Sequence, residues 1–225
     1  MAADPREGAE IRLVDTPEGP GRAAILRPGA GAGAGAGATP VRGTVLLGHG
    51  AGGQKDSKDL AALAAALPTD GWVVALIDQP WRVAGKKVAS LPPRLDAAYV
   101  PLAGALMDGA DPLPRPLVSA GRSAGARVAC RTAGNVAAAA VIALSFPLHP
   151  PGQPHKSRYA ELEGAVQSGV PVLVVQGVND PFGSPGELAE AGLDPGHLQE
   201  VRGTHTPHPS DVVSAVRDWL ANLTL

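Results

Sequence analysis

The apolar residues of this chain lie in continuous runs rather than at alternating positions. Such runs are typical of strands buried on both faces, as in a parallel sheet covered by helices. They predict five buried strands, at Thr44–Leu47, Trp72–Ile77, Pro116–Ala120, Ala139–Phe146 and Val170–Gln176. Two earlier segments, Ile11–Val14 and Arg22–Leu26, predict an antiparallel edge, and Leu198–Arg202 predicts a short last strand.

Segments with helical periodicity separate these runs. Ser57–Leu67 places its leucines on one face, and Ser210 can cap a last helix that carries an apolar stripe. A third helix, Ala124–Ala133, follows directly on a predicted strand. A fourth, Arg94–Met107, is expected to kink or split at Pro101, because proline lacks the N–H that a helix needs.

One tract has no side chains that could pack a core. The sequence GAGAGAGAGA at positions 29–38 is interpreted as a flexible loop between the second and third strands. The alternative is a silk-like β stack, which a single tract of this length disfavours because it lacks stacking partners. The 225 residues are long enough for one substantial core, so a single domain over residues 1–225 is expected.

Charge and cysteine content narrow the possible partners and environment. The chain has 19 Lys and Arg against 21 Asp and Glu, without a basic block, so binding to nucleic acid or a membrane surface is not expected. Acids and prolines interrupt the first thirty residues, where a secretory signal would be apolar, which favours a soluble, cytoplasmic protein. Cys130 is the only cysteine, which excludes an intramolecular disulfide and a cysteine metal cluster.

The stretch SAGRSAGARVAC contains the first candidate for chemistry. It places Ser123 between Gly121 and Gly125, after a predicted strand and before a predicted helix. In a chain with 29 glycines the Gly-x-Ser-x-Gly pattern alone is weak evidence. The strand, turn and helix around it are the context that a nucleophile elbow requires, so Ser123 is predicted to be a nucleophile.

A serine hydroxyl needs a general base, usually a histidine oriented by a carboxylate. Asp180, in QGVNDPFG, follows a predicted strand, and His205, in EVRGTHTPHP, lies between the last strand and the last helix. These two are the predicted acid and base. The alternatives are Asp78 for the acid and His208 for the base, whereas a metal site at His205 and His208 lacks a nearby third ligand.

A charged intermediate of acyl transfer needs amide donors. The backbone N–H groups of Ala51, in LLGHGAGG, and of Ala124 are the predicted oxyanion hole. A phosphate loop is the alternative, but the segment lacks the Gly-Lys-Ser/Thr ending. His49, Gly50 and Arg122 are candidate substrate contacts.

Two further groups of residues are assigned less specifically. Positions 81, 82, 86 and 87 follow the fourth strand and either edge the pocket or lie in a solvated loop. His149, His155 and His197 have loop-like neighbours and are expected at the surface.

Four motifs in this order, GHGAGG, GRSAGAR, QGVNDPFG and GTHTPH, resemble the α/β-hydrolase fold superfamily. With LSFPLHPPGQPHKSR between them, the chain further resembles the KANL/Tex-like subgroup of small, dienelactone-hydrolase-like predicted hydrolases. The resemblance implies a mostly parallel eight-stranded sheet with helices on both faces, Ser123, Asp180 and His205 as a catalytic triad, and a structural place for Arg127.

The interval between the sixth and seventh strands, where this fold usually carries a cap, spans only Phe146 to Val170. A minimal cap and an open site are therefore expected, suited to small acyl esters or thioesters, without metal or organic cofactor. The protein is expected to be a monomer or a homodimer. The alternative is a non-catalytic module of the same fold that binds a partner protein.

Overall fold

A computed structural model describes residues 6–29, 40–52 and 56–224 of the chain. The strands are β1 Glu10–Thr16, β2 Gly19–Leu26, β3 Gly43–Gly48, β4 Trp72–Asp78, β5 Leu117–Arg122, β6 Ala140–Leu144, β7 Val172–Gly177 and β8 Leu198–Val201. They form one sheet in the order β1-β2-β4-β3-β5-β6-β7-β8. The pairs β1·β2 and β2·β4 are antiparallel, and the other five pairs are parallel. The predicted mostly parallel sheet with an antiparallel edge is confirmed.

Helices connect the parallel strands and cover both faces of the sheet. They are α1 Lys58–Ala66, α2 Pro80–Val83, α3 Pro92–Asp108, α4 Ala124–Thr132, α5 Tyr159–Gln167, α6 Pro185–Glu190 and α7 Pro209–Asn222, with short 3₁₀ helices at Leu67–Asp70 and Pro195–His197. Buried residues of α1 and α7 pack against one face of the sheet, and those of α3, α4 and α5 pack against the other. The helices α2, α5 and α6 were not predicted from the sequence.

Helix α3 differs from its prediction, because it continues through Pro101 without a break. The missing proline N–H would have bonded the carbonyl of Ala97, which is an exposed residue, so water can replace the lost hydrogen bond. On the opposite side of α3, Leu102 and Leu106 are completely buried. Tertiary packing of this apolar stripe therefore outweighs the local cost of the proline.

The interval between β6 and β7 contains one helix, α5, which packs against α4. The minimal cap expected from the short interval agrees with this arrangement.

The Gly-Ala tract lies, apart from Gly29, outside the described residues. None of the helices in the described part of the chain is long and apolar enough to cross a membrane.

The parallel strands β3, β5, β7 and β8 all point the same way, so the segments that follow them meet at one edge of the sheet. The segment after β5 contains Ser123, the one after β7 contains Asp180, and the one after β8 contains His205. The loop after β3 contains Ala51. In open α/β sheets, ligands bind outside the carboxyl ends of the strands.

Candidate active site

Ser123 lies on a tight turn between β5 and α4, with φ 54° and ψ −111°. This conformation is strained for a residue with a side chain. The flanking glycines permit it: a Cβ on Gly121 would lie 2.4 Å from the carbonyl carbon of Gly125, and one on Gly125 would lie 2.5 Å from the oxygen of Gly48. The Ser123 N–H donates to the Leu144 oxygen at 2.9 Å, which ties the turn to β6.

His205 bridges Ser123 and Asp180. Its Nε2 lies 3.0 Å from Ser123 Oγ, and its Nδ1 lies 2.9 Å from Asp180 Oδ2. Because an ionised carboxylate can only accept, Nδ1 carries the proton and the serine hydroxyl donates to Nε2. The alternative histidine, His208, is exposed, and its Nδ1 lies 2.9 Å from Ser210 Oγ. The structure thus brings Ser123, Asp180 and His205 together and leaves His208 aside.

The Asp180 carboxylate is almost fully buried and receives two hydrogen bonds besides that of His205. The Phe182 N–H donates to Oδ1 at 2.9 Å, and Gln176 Nε2 donates to Oδ2 at 3.0 Å. Gln176 is oriented in turn by the Phe146 N–H, which donates to its Oε1 at 2.9 Å. The sequence analysis missed both supports, although an aspartate that accepts from the amide two residues later is a recurrent turn pattern.

The ring of Phe182 packs on the imidazole of His205. The ring centroids are 4.2 Å apart and the planes are tilted by 32°. Phe182 therefore holds Asp180 through its backbone and covers His205 through its side chain. Nothing in the spacing of DPFG indicated this second contact.

Arg122, the residue before Ser123, joins the His205 loop to α1. Its Nε donates to Asp59 Oδ2 at 3.1 Å, and its Nη2 donates to the His205 carbonyl oxygen. Asp59 is completely buried, so its charge needs this partner. Two of the three guanidinium nitrogens are thus engaged within the protein, whereas Nη1, beside Gly50, has no hydrogen bond to the described residues and is available for the predicted substrate contact.

The loop after β3 lies against Ser123. A Cβ on Gly50 would be 3.5 Å from the Ser123 Cβ. Ala124 is the first residue of α4 and so has no intrahelical acceptor for its N–H. The Ala51 N–H also has no backbone acceptor among the described residues. Both amides predicted for the oxyanion hole are therefore available as donors.

His49 ties this loop to the start of α2. The Gln79 N–H donates to Nε2 at 3.2 Å, so the proton is on Nδ1, which donates to the Gly50 oxygen at 2.7 Å. The ring also meets Trp81 edge to face, at 5.2 Å between centroids. Burial, followed by the positive charge of Arg82, lowers the pKa of His49 to about 4. His49 is thus neutral at pH 7, and a substrate contact, which stays a prediction, would involve its ring carbons.

A narrow, mostly apolar pocket opens between this loop and α3. Its cavity volume is about 10 Å³, which is room for about one water-sized group. It is lined by Gly48, His49, Gly50, Ile77, Gln79, Trp81, Ala89, Leu95, Tyr99, Ala124, Gly125 and Val128. The pocket therefore begins beside the Ala124 amide. Trp81 contributes to it, as one of the two sequence interpretations held.

Residues 41–206 match the model of the alpha/beta hydrolase domain family. The chain belongs to this family. No curated protein is significantly similar to it in sequence. The match is to the general family, so the KANL/Tex-like subgroup stays a prediction.

Solved structures share the fold of this α/β hydrolase at low sequence identity. A serine hydrolase without a lid from Xanthomonas campestris aligns with a TM-score of 0.64 and 19% identity, over 96% of this chain and 97% of that one. A serine hydrolase homologue from Coxiella burnetii aligns over the same shares, with a TM-score of 0.68 and 19% identity. Esterase 2 of Thermogutta terrifontis aligns with a TM-score of 0.58 and 15% identity, over 95% and 94%.

The alternative acid, Asp78, is held elsewhere in the α/β hydrolase. Its buried carboxylate forms ion pairs with Arg6 at 2.8 Å, Arg22 at 2.6 Å and Arg82 at 3.3 Å. Burial raises the pKa of Asp78, but the three arginines together hold it below its usual value. Arg82 is only 5% exposed, so the solvated-loop interpretation is wrong for this residue, and Arg82 is not among the residues that line the pocket described above. Asp78 serves an ion cluster rather than His205.

The surface position expected for His149 is wrong, whereas His155 is exposed and His197 half-buried. His149 Nε2 lies 3.1 Å from Glu187 Oε1. The backbone N–H of His149 donates to the backbone oxygen of Phe182 at 3.0 Å. The proline-rich loop therefore turns this histidine inward, where it supports the Asp180 segment.

Arg127, expected to have a structural place, donates to Glu161 at 2.8 Å and so joins α4 to α5.

Within the described ranges, no group of three or more His, Cys, Asp or Glu side chains is arranged to hold a metal ion.

Proposed function

We propose that this protein is a serine hydrolase that cleaves small esters or thioesters through an acyl-enzyme. The observation that supports this best is the position of His205, within hydrogen-bond distance of Ser123 on one side and Asp180 on the other. The family supports hydrolysis in general, and structural neighbours described as serine hydrolases and as an esterase agree with it.

In the first half-reaction, Ser123 Oγ attacks the carbonyl carbon of the ester while His205 Nε2 takes the hydroxyl proton. The negative charge moves to the carbonyl oxygen, where the N–H groups of Ala51 and Ala124 stabilise it. Asp180 keeps the proton on Nδ1 of His205 and stabilises the imidazolium. The intermediate then expels the alcohol or thiol, which takes the proton from Nε2.

In the second half-reaction, water replaces the leaving group. His205 Nε2 takes a proton from the water as it attacks the acyl carbon, and the same donors stabilise the second intermediate. Collapse breaks the bond to Ser123 Oγ, which recovers its proton from His205. The products are a carboxylic acid and the free enzyme.

The shape of the site supports small substrates. The only helix between β6 and β7, α5, packs against α4. The pocket beside Ala124 is narrow, so it suits a short acyl group better than a long lipid chain.

The decisive experiment is labelling with a fluorophosphonate, read by intact mass. Wild-type protein and His208→Ala should each gain one adduct, whereas Ser123→Ala should gain none. In His205→Ala the labelling rate should fall by about 10²-fold or more, because the serine loses its base. His208→Ala is the matched control, since His208 lies in the same loop but contacts Ser210 instead of Ser123.

The opposite result has a defined meaning. Folded wild-type protein that gains no adduct would contradict the proposed mechanism and favour the non-catalytic binding module. An adduct that persists in Ser123→Ala would identify a different nucleophile. If labelling succeeds, 4-nitrophenyl esters from acetate to octanoate should show a preference for the short chains.

A further inference from the structure

Arg122 holds one guanidinium nitrogen without a partner beside Ser123. Its Nε donates to Asp59 Oδ2 at 3.1 Å, and its Nη2 donates to the His205 carbonyl oxygen and, at 3.3 Å, to Thr206 Oγ1. Nη1 has no hydrogen bond to the described residues. It is also not one of the buried side-chain atoms that lack a partner in that part of the chain, so it is in contact with solvent. A cation with two accessible N–H groups is therefore fixed in place by its other contacts.

The loop after β3 shows how close this nitrogen is to the reacting serine. A Cβ built on Gly50 would lie 3.3 Å from Arg122 Nη1 and 3.5 Å from the Ser123 Cβ. The two atoms thus border the same space and are within about 7 Å of each other. One end of a substrate that is joined to Ser123 through its carbonyl carbon therefore lies within a few bonds of the guanidinium.

The proposed mechanism identifies that end as the leaving group. The leaving alcohol or thiol takes the proton from His205 Nε2, so it must lie beside the His205 loop. Arg122 is bonded to this loop through Nη2.

The acyl group has a separate place in the site. The narrow pocket that begins beside the Ala124 amide has room for about one water-sized group, which is comparable to the methyl of an acetyl group. Arg122 is not among the residues that line this pocket. An acetyl ester would therefore direct its methyl away from Arg122 and its alcohol towards the guanidinium.

The accessible side of the guanidinium favours an anion. Arg122 forms one ion pair with the described residues, to Asp59, whose completely buried carboxylate contacts Nε. The acceptors on Nη2 are both neutral oxygens. A carboxylate or phosphate at Nη1 would form a charge-assisted hydrogen bond, which is roughly twice as strong as one between neutral groups. The planar donors of arginine suit both anions.

We infer that Arg122 binds an anionic group, a carboxylate or a phosphate, on the leaving alcohol or thiol of a short acyl ester. The inference rests on the proposed function, since it assumes that an ester reacts at Ser123. Hydrolysis breaks the bond between the acyl carbon and the leaving oxygen or sulfur. The products are a small carboxylic acid, such as acetic acid, and an alcohol or thiol that carries the anion.

Two pairs of acetate esters that differ in the charge of the alcohol test this inference. One pair is 3-acetoxypropanoate and 3-acetoxypropanamide, and the other is 2-acetoxyethyl phosphate and its dimethyl ester. We expect kcat/KM to be about tenfold or more higher for the anionic member of at least one pair, as a hydrogen bond to a charged group implies. The pair with the larger ratio identifies the anion as carboxylate or phosphate.

Two variants assign that preference to Arg122. Arg122→Gln combined with Asp59→Asn removes both charges, so no unpaired charge is left buried, and should bring the ratio to within about twofold of unity. Arg127→Gln is the matched control, because Arg127 is similarly buried and ion-paired but contacts Glu161, and it should leave the ratio in place. Each ratio compares two esters on one protein, so a general loss of activity cancels.

The outcomes separate this inference from the proposed function. Equal rates in both pairs, or a preference for the neutral esters, would overturn the inference while the hydrolase stands. A preference retained after both charges are removed would overturn the role of Arg122. The wild-type ratios decide the matter even if the double variant does not fold. Absence of both turnover and fluorophosphonate labelling would overturn the proposed function, and the inference with it.

Discussion

The neutral state of His49 predicts a loss of stability in mild acid. Burial and then Arg82 lower its pKa to about 4 in the folded protein, from 6.5 for an unperturbed imidazole. Below pH 6.5 the unfolded chain therefore binds a proton that the folded protein excludes. The contribution of His49 to the free energy of unfolding is fully present above pH 6.5 and declines as the pH falls towards 4. Between pH 7.5 and 5 the loss is about 2 kcal/mol.

The structure explains why the proton is excluded. Protonation of Nε2 would turn an acceptor into a donor that faces the Gln79 N–H, which lies 3.2 Å away. One hydrogen bond would be lost and a charge would be left buried beside a cation. The same bond joins the loop after β3 to the end of β4, so this loop should loosen in the same pH range.

Urea unfolding of the wild-type protein and of His49→Gln at pH 7.5 and 5 measures this effect. Glutamine can accept from the Gln79 N–H but does not titrate, so the variant should lose about 2 kcal/mol less than the wild type between the two pH values. Carboxylates whose pKa is lowered on folding, such as Asp78, lose their contribution only as the pH falls below about 4. An equal loss in both proteins would refute the argument.

Three further substitutions test other contacts of the site. Gly125→Ala puts a Cβ 2.5 Å from the Gly48 oxygen, so it should cost about 1–3 kcal/mol in urea unfolding and slow fluorophosphonate labelling. Arg122→Lys cannot bond Asp59 and the His205 loop together, and it should lower kcat about tenfold or more with a smaller effect on KM. Gln176→Leu removes a buried donor to the Asp180 carboxylate. It should lower the free energy of unfolding in urea by about 1–3 kcal/mol.

The strands and the order of the site residues could be predicted because their signals are local. A buried parallel strand must be apolar along its length, so its sequence reveals it without knowledge of its neighbours. Ser123 was recognisable for a related reason. The close approach of β3, β5 and α4 leaves no room for a Cβ at Gly121 or Gly125, so both positions require glycine, which is visible in the sequence. Parallel strands bring their carboxyl ends together, which places Asp180 and His205 at the same edge.

The supports of the site escaped prediction because they depend on pairs far apart in the chain. Asp59 and Arg122 are 63 positions apart, and Asp59 lies in the first turn of α1, where an acidic residue is common. His149 lies between prolines in a loop, a pattern typical of the surface, yet it is buried and contacts the Asp180 segment. Pro101 shows the same limit. The tertiary packing of α3, which the local sequence does not reveal, outweighs the destabilisation caused by a proline within the helix.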